Sequence, residues 1–377
     1  MFFVFIHYAW LFTQVLIGGS LLLPVVLFVS HSFLNLFKKA LPACEELLEE
    51  KDFAVIVHAH EQAQNIESLV QSLLSLNYTN YLIYIVTNNN THCFFNEKII
   101  VLPSEKPGTS KLRLYRFVIE NFKRPHTHLA IFGGGIADNE YLNQLNVFFN
   151  KGYQAVQGSH SLKQSRTLYD LIYSTGNQYH RLFKGELPFR LHASATLAGC
   201  GAAFNVSFFK QCLKRMSRSR TGTHFMQNIE SEMMNRGHQI AFASNAVVYS
   251  DKTISAHQLI NIQAQSMNRW LTQFVRSSFM LFEGIISFKH NLILSGLILL
   301  QPSLFAVLLL SVFCLLSNVL MQPATAIIWI GCLLLFLVCF LIAVVKSTNR
   351  RKFEKAERLV TSLPMFFYTK KRKTEAA

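Results

Sequence analysis

Polar residues capable of chemistry in this 377-residue chain gather at the ends of apolar runs. His58-Ala59-His60-Glu61 follows Phe53–Val57, Thr87-Asn88-Asn89 follows Tyr81–Val86, and Gly133-Gly134-Gly135 follows Leu129–Phe132. Asp138 and Glu140 come just after the three glycines, and Glu230 and Glu232 lie further on. A carboxylate in such a place can hold Mg²⁺ or Mn²⁺, which want oxygen ligands, but a glycine offers no side chain to do so. Carboxylates can also act as general bases, and His58, His60, His224 and Lys111 can neutralise an anionic ligand. Each acid has a plainer reading as a solvated helix face, and each histidine as part of a polar turn.

The elements that must position these residues are legible from periodicity. Phe53–Val57, Tyr81–Val86, Ile99–Leu102, Leu129–Phe132 and Tyr153–Gly158 read as strands. Glu61–Leu76 has helical spacing, with Ile66, Leu69, Val70, Leu73 and Leu74 on one face, and Leu112–Asn121 reads as a helix. Asp138–Leu142 starts another. Strands alternating with helices imply an α/β domain with a mostly parallel sheet covered on both faces. Ligands of such sheets bind beyond the carboxyl ends of the strands, which aligns His58-Ala59-His60, Thr87-Asn88-Asn89 and the triple glycine along one edge.

The remainder is membrane-like. Hydrophobic residues make up 51% of the chain and charged residues 15%. Residues 1–37 contain no Lys, Arg, Asp or Glu, and Tyr8–Ser30 alone is long enough to cross a hydrocarbon core of about 30 Å. Its start lacks basic residues and its apolar run is long, so a retained anchor fits better than a cleaved signal. Asn291–Ser317 and Ala324–Val345 are two further charge-free runs, the first expected to bend at Pro302. Lys38, Lys39, Lys289, Lys346, Arg350, Arg351 and Lys352 flank these spans. The positive-inside rule then puts the globular segment and the C-terminus in the cytoplasm, in a plasma or bacterial inner membrane. Ile254–Phe288 and Leu359–Phe367 carry apolar faces with cationic fringes; each reads either as a helix lying in the membrane interface or as one packed on the globular domain.

The resulting division is 1–37 anchor, 38–253 globular domain, 254–290 interfacial helices, 291–345 two spans and 346–377 basic tail. The net charge of +15 comes without zinc spacing, helix-turn-helix punctuation or an aromatic RNA-binding box. Anionic lipid rather than nucleic acid is its expected partner. The seven cysteines form no Cys-x-x-Cys and no evident zinc or disulfide framework.

Taken in order, these stretches resemble the membrane-bound, inverting family-2 glycosyltransferases, such as hyaluronan, cellulose and poly-N-acetylglucosamine synthases. The resemblance implies a nucleotide-diphospho-sugar transferase (GT-A, Rossmann-like) domain with one transmembrane helix before it and two after. It also implies donor contacts from Ala59, His60, Glu61, Asn88 and Lys111, and an acceptor side at Gly199-Cys200-Gly201, Arg269 and Trp270. The family's metal-binding Asp-x-Asp falls on the triple glycine, at Gly133 and Gly135. Its general base, the Asp of Thr-Glu-Asp, falls on Met226, in His224-Phe225-Met226. Its uridine-binding Asp becomes Asn88, and the Gln of Gln-x-x-Arg-Trp becomes Ser266. No metal cofactor is expected as a result, although the family normally uses Mg²⁺ or Mn²⁺. Asp138 or Glu230 would have to substitute for the lost acids.

Two function classes follow from the resemblance. One is an impaired transferase or accessory subunit of polysaccharide or glycolipid synthesis, binding a nucleotide sugar, a glycan or a partner synthase. The other is an active, metal-independent transferase at the inner leaflet. A polymer channel is a third possibility, set back by the small number of spans and their lack of charge.

Overall fold

The computed structural model describes residues 2–37, 49–58, 66–87, 96–103, 110–163, 167–216, 225–250 and 253–345. Helix α1 (Phe2–Phe37) leads into strand β1 (Phe53–His58), α2 (Ile66–Leu74), β2 (Tyr81–Thr87), β3 (Ile99–Pro103) and α3 (Lys111–Glu120). Then come β4 (His128–Phe132), β5 (Ile136–Ala137), α4 (Tyr141–Asn150), β6 (Ala155–Leu162) and α5 (Leu168–Tyr179). A π-helical stretch, His180–Glu186, continues α5 into the short α6 (Leu187–Arg190). Strand β7 (Ala202–Asn205), α7 (Val206–Met216), α8 (Phe225–Asn235) and β8 (Ile240–Ser250) complete the globular part. The long α9 (Ala256–Ile286), α10 (His290–Leu300), α11 (Leu304–Met321) and α12 (Pro323–Val345) follow.

β1 and β4 are buried along their whole length apart from His58, as the unbroken runs FAVIV and HLAIF demand of strands covered on both faces. One face packs on α3, α7 and α8 through Tyr115, Val118, Phe209, Ile229 and Met233. The other packs on α2 and α4 through Leu69, Leu73, Tyr141 and Leu145. The strand order is β3-β2-β1-β4-β7-β6-β8-β5. β3, β2, β1 and β4 run parallel, but β7 is antiparallel to both β4 and β6, and β5 is antiparallel to β8. The sheet is therefore mostly parallel, as expected, with β7 and β5 running against the other six strands. The expected fifth strand extends to Leu162 and pairs in parallel with β8 across an irregularity at Gly158/Ser159.

Among the described residues three helices are long and apolar enough to cross a membrane: His7–Leu34 within α1, α11 and α12. The single span expected over Asn291–Ser317 is instead two helices. Pro302, with no N–H to donate, stops the ladder at Gln301 rather than bending it. α10 has 11 residues, about 16 Å of rise, far short of a bilayer core. It folds back on α9 so closely that a Cβ on Gly284 would lie 2.7 Å from the Ile293 nitrogen. α9 is one continuous helix, opened by a capping box in which Ser255 and Gln258 satisfy each other's backbone amides. Leu271, Val275, Phe279, Phe282 and Ile286 stand exposed along it.

Amides join these three apolar helices. Gln14 on α1 and Asn318 on α11 exchange side-chain hydrogen bonds at 3.0 and 3.3 Å, and the Trp329 indole on α12 donates to the Gln14 oxygen at 3.0 Å. Away from water such bonds hold helices together at about 1 kcal/mol each. At the α10–α11 break the Gln301 amide donates to the Ser20 carbonyl at 2.9 Å and to the Tyr179 hydroxyl at 2.6 Å.

Candidate functional site

The carboxyl end of β4 is where the site must form, and its backbone is set by glycine. Gly135 has φ +91°, a region that costs side-chain-bearing residues energy, and a Cβ there would lie 2.7 Å from Val248 Cγ1 and 2.8 Å from the Tyr249 carbonyl. Gly133 is different, with nothing within 4 Å of a Cβ. The first acid of an Asp-x-Asp could stand on this backbone; the second could not.

A cysteine covers the glycines. Gly199 and Gly201 both have positive φ, and this loop places Cys200 against the end of β4. The Gly133 N–H donates to Cys200 Sγ at 3.3 Å, and the thiol reaches the Gly134 carbonyl at 3.8 Å. The Cys200 carbonyl accepts from His160 Nε2 at 2.8 Å and from the Gln157 amide at 3.0 Å. The Tyr141 hydroxyl donates to the Gly201 carbonyl at 2.8 Å, so α4 and β6 both fix the loop. Burial alone would raise the Cys200 thiol, but attraction and hydrogen bonding from His160, with the Gly133 and Gly134 backbone, bring it below its ordinary value. Burial likewise opposes charge on His160, and its interaction with Cys200 outweighs that and raises it.

A second polar group lies on the same side. Met226, expected at the general-base position, packs its Cγ 3.5 Å from where a Gly199 Cβ would be. One helical turn later on α8 is Glu230, 3% exposed, with Oε1 making no hydrogen bond. Desolvation pushes its carboxyl up to about 8, against the Leu197 N–H and Lys184, which favour the charged form. Lys184 in the π-helical stretch is itself brought down to about 8 by burial, opposed by Glu230, and donates to the Gln301 carbonyl at 3.1 Å. His180, one turn before Lys184, is pushed down to about 3 by burial and by the charges of Lys184, Arg269 and His160. It is a neutral ring at physiological pH.

The expected residues divide accordingly. Cys200, Gly199, Gly201, Gly133, Gly135, Met226 and Glu230 form one neighbourhood, and exposed Arg269 reaches it electrostatically through His180. Trp270 does not offer its polar edge to an acceptor: its Nε1 donates to the Leu300 carbonyl at 2.7 Å, closing the end of α10. Asp138 is turned away as well, its Oδ1 accepting the Glu140 N–H at 3.2 Å while its carbonyl accepts from Tyr141 to start α4. Lys111 stands exposed at the start of α3. Ala59, His60, Glu61, Asn88 and His224 lie outside the described residues, as do Lys38, Lys39, Leu359–Phe367 and the basic tail.

Among the described residues no group of three His, Cys, Asp or Glu side chains can hold a metal ion. The donor set at the end of β4 does not fit Mg²⁺ or Mn²⁺: the glycines have no ligand atoms, Gly135 has no room for one, and a thiol is a poor ligand for either ion. His160, His180 and Lys184 carried no sequence signal of their own. They lie within otherwise ordinary strand and helix patterns, and only the fold brings them to Cys200 and Glu230.

The sequence profile described as glycosyltransferase like family 2 matches residues 51–272. No curated protein matches by sequence. Among solved structures, a mannosyltransferase from Pyrobaculum calidifontis, determined in complex with GDP-Man and Mn²⁺, aligns over 90% of this chain and 97% of its own at 12% identity, with a TM-score of 0.52. The TarS fragment 1–349 of S. aureus, in complex with UDP-GlcNAc, aligns over 61% of this chain and 66% of its own at 10% identity and a TM-score of 0.39.

Proposed function

Because the chain belongs to glycosyltransferase-like family 2 and carries its GT-A fold beside three apolar helices, we propose that it binds a nucleotide sugar or glycan at the membrane without metal-dependent transfer. The backbone at Gly135 carries this reading. It excludes the second metal-binding acid sterically, and the adjoining space is taken by the Cys200 thiol. Methionine at the general-base position cannot accept a proton. A positioned base is worth about 10² to 10⁴ in rate, and metal stabilisation several kcal/mol more, so loss of both leaves little turnover.

In this reading residues 38–253 face the cytoplasm, 254–290 lie in the interface, and the protein serves polysaccharide or glycolipid synthesis as a subunit beside an active synthase. Calorimetry of the purified full-length protein with UDP, UDP-sugars and GDP-mannose, with and without Mn²⁺, is the test. Binding insensitive to Mn²⁺, with no sugar transfer, is expected. Transfer that requires Mn²⁺ overturns the reading.

One observation favours a second reading, an active metal-independent transferase. Glu230 is a buried carboxyl near 8 with an unbonded oxygen, one turn from the family's base position, and a general base works best when it titrates near the working pH. Sugar transfer that survives EDTA and is abolished in Glu230→Gln would establish it.

A further inference from the structure

We propose that the cleft between α7, α8 and α9 is a phospholipid site, taking the phosphate and primary ammonium of a phosphoethanolamine head while the acyl chains lie along α9. The cleft has a volume of about 330 Å³, in the range of small-ligand sites. It is separate from the end of β4. Asn228, Glu232 and Asn235 line it from one face of α8, and Met226 and Glu230 lie on the opposite face, about half a turn round the helix.

The floor is apolar, with Cys212 and Met280 buried, and the sides are charged. The Arg276 guanidinium donates to Asn228 Oδ1 at 2.6 Å, and Arg215 donates to Glu232 Oε1 at 2.6 Å. A guanidinium has five N–H donors, so each contact orients the fork and leaves donors for a phosphate. Glu232 is already shared, its Oε1 also accepting from Arg236 at 2.6 Å. Glu283, exposed on α9 two turns beyond Arg276, is the carboxylate left for a cation. Among the described residues two cations and two anions line the cleft, which suits a zwitterion; a purely anionic head would meet Glu283 uncompensated. Phe279, 70% exposed, forms the lip and belongs to the stripe Leu271, Val275, Phe279, Phe282 and Ile286, about 22 Å of helix. A head in the cleft leaves its acyl chains against that stripe, in a protein whose α1, α11 and α12 are apolar enough for hydrocarbon.

The proposal rests on α9 lying in the membrane interface, which is checked apart from it. Phosphatidylcholine carrying a diazirine in its acyl chain, in nanodiscs, should crosslink to residues of the α9 stripe; no crosslink there removes the interface and the site with it. The head is tested in detergent micelles, where no bilayer is needed. Delipidated full-length protein is titrated with dioleoyl phosphatidylethanolamine, phosphatidylcholine or phosphatidylglycerol, and the rise in melting temperature is followed. Phosphatidylethanolamine should half-saturate at about 10-fold lower mole fraction than phosphatidylcholine, whose quaternary ammonium has no N–H, or phosphatidylglycerol, which has no cation. Arg276→Gln and Glu283→Gln should each weaken phosphatidylethanolamine by about 10-fold. Phosphatidylcholine or phosphatidylglycerol binding as tightly as phosphatidylethanolamine to the wild type overturns the proposal, whether or not the variants fold. So does an unchanged phosphatidylethanolamine midpoint in either variant when it melts like wild type.

Discussion

Placing carboxylates on the β4 glycines tests the steric argument at its narrowest point. A side chain at Gly135 must adopt φ +91°, which costs about 1–2 kcal/mol. Its Cβ must also displace Val248 Cγ1 at 2.7 Å and the Tyr249 carbonyl at 2.8 Å, an overpacking worth about 1–3 kcal/mol. Gly135→Ala should therefore lose about 2–5 kcal/mol. For a domain of this size that is a fall in apparent Tm of about 4–20 °C. Gly133→Ala meets nothing within 4 Å and should melt within about 2 °C of wild type. The assay is tryptophan-fluorescence melting of the full-length protein in one detergent at one scan rate, since membrane-protein melts are commonly irreversible. Gly133→Asp/Gly135→Asp should follow Gly135→Ala and gain no stability from Mn²⁺. If Gly135→Ala melts with wild type, or the double variant is stabilised by Mn²⁺, the end of β4 has room for a pair of acids and the steric argument fails.

Other outcomes are equally checkable. His128 is brought down to about 4, mainly by burial and then by Lys51, against 6.5 for an ordinary histidine, so the unfolded chain binds the extra proton. Stability contributed by its neutral form is complete above pH 6.5 and lost as pH falls towards 4, on the order of 3 kcal/mol; His128→Phe should flatten the acid side of a Tm–pH curve. Lys184→Met should leave Glu230 without its cation and raise the carboxyl further, detectable as a carboxylic-acid infrared band persisting to higher pH than in wild type. Trp270→Phe removes the bond to the Leu300 carbonyl and should cost about 1 kcal/mol, read as a Tm fall of a few degrees with ligand affinity intact. Asn318→Leu should lower the Tm in detergent by severing the tie to Gln14.

Strands β1, β2 and β4 were legible because doubly covered strands are written as unbroken apolar runs, and the interior of α1 because it lacks charge. β7 and β8 were not. AAFN is too short to signal, and Ser244 and Asn245 interrupt the apolar sequence of β8 at the irregularity beside β6. Without β7 the antiparallel insertion is invisible, and the sheet reads as more parallel than it is. Pro302 was visible, but whether a proline bends or ends a membrane helix depends on what satisfies the freed groups. Here Lys184, 117 residues away in sequence, takes the Gln301 carbonyl. That Gly133, Gly135 and Met226 offer no carboxylate was legible from residue type; that acids are expected there is what the family resemblance implies. The His160–Cys200 and Lys184–Glu230 pairs were not legible, because each joins residues 40 or more positions apart that no local period connects.

Gln301 has a consequence beyond helix geometry. One residue grips the first membrane helix through Ser20, the α5 end through Tyr179, and the ammonium that neighbours Glu230. Helix α1, the α5 end and the ammonium beside the buried carboxyl are thus tied at a single point, so that none of the three can shift without straining a bond to Gln301.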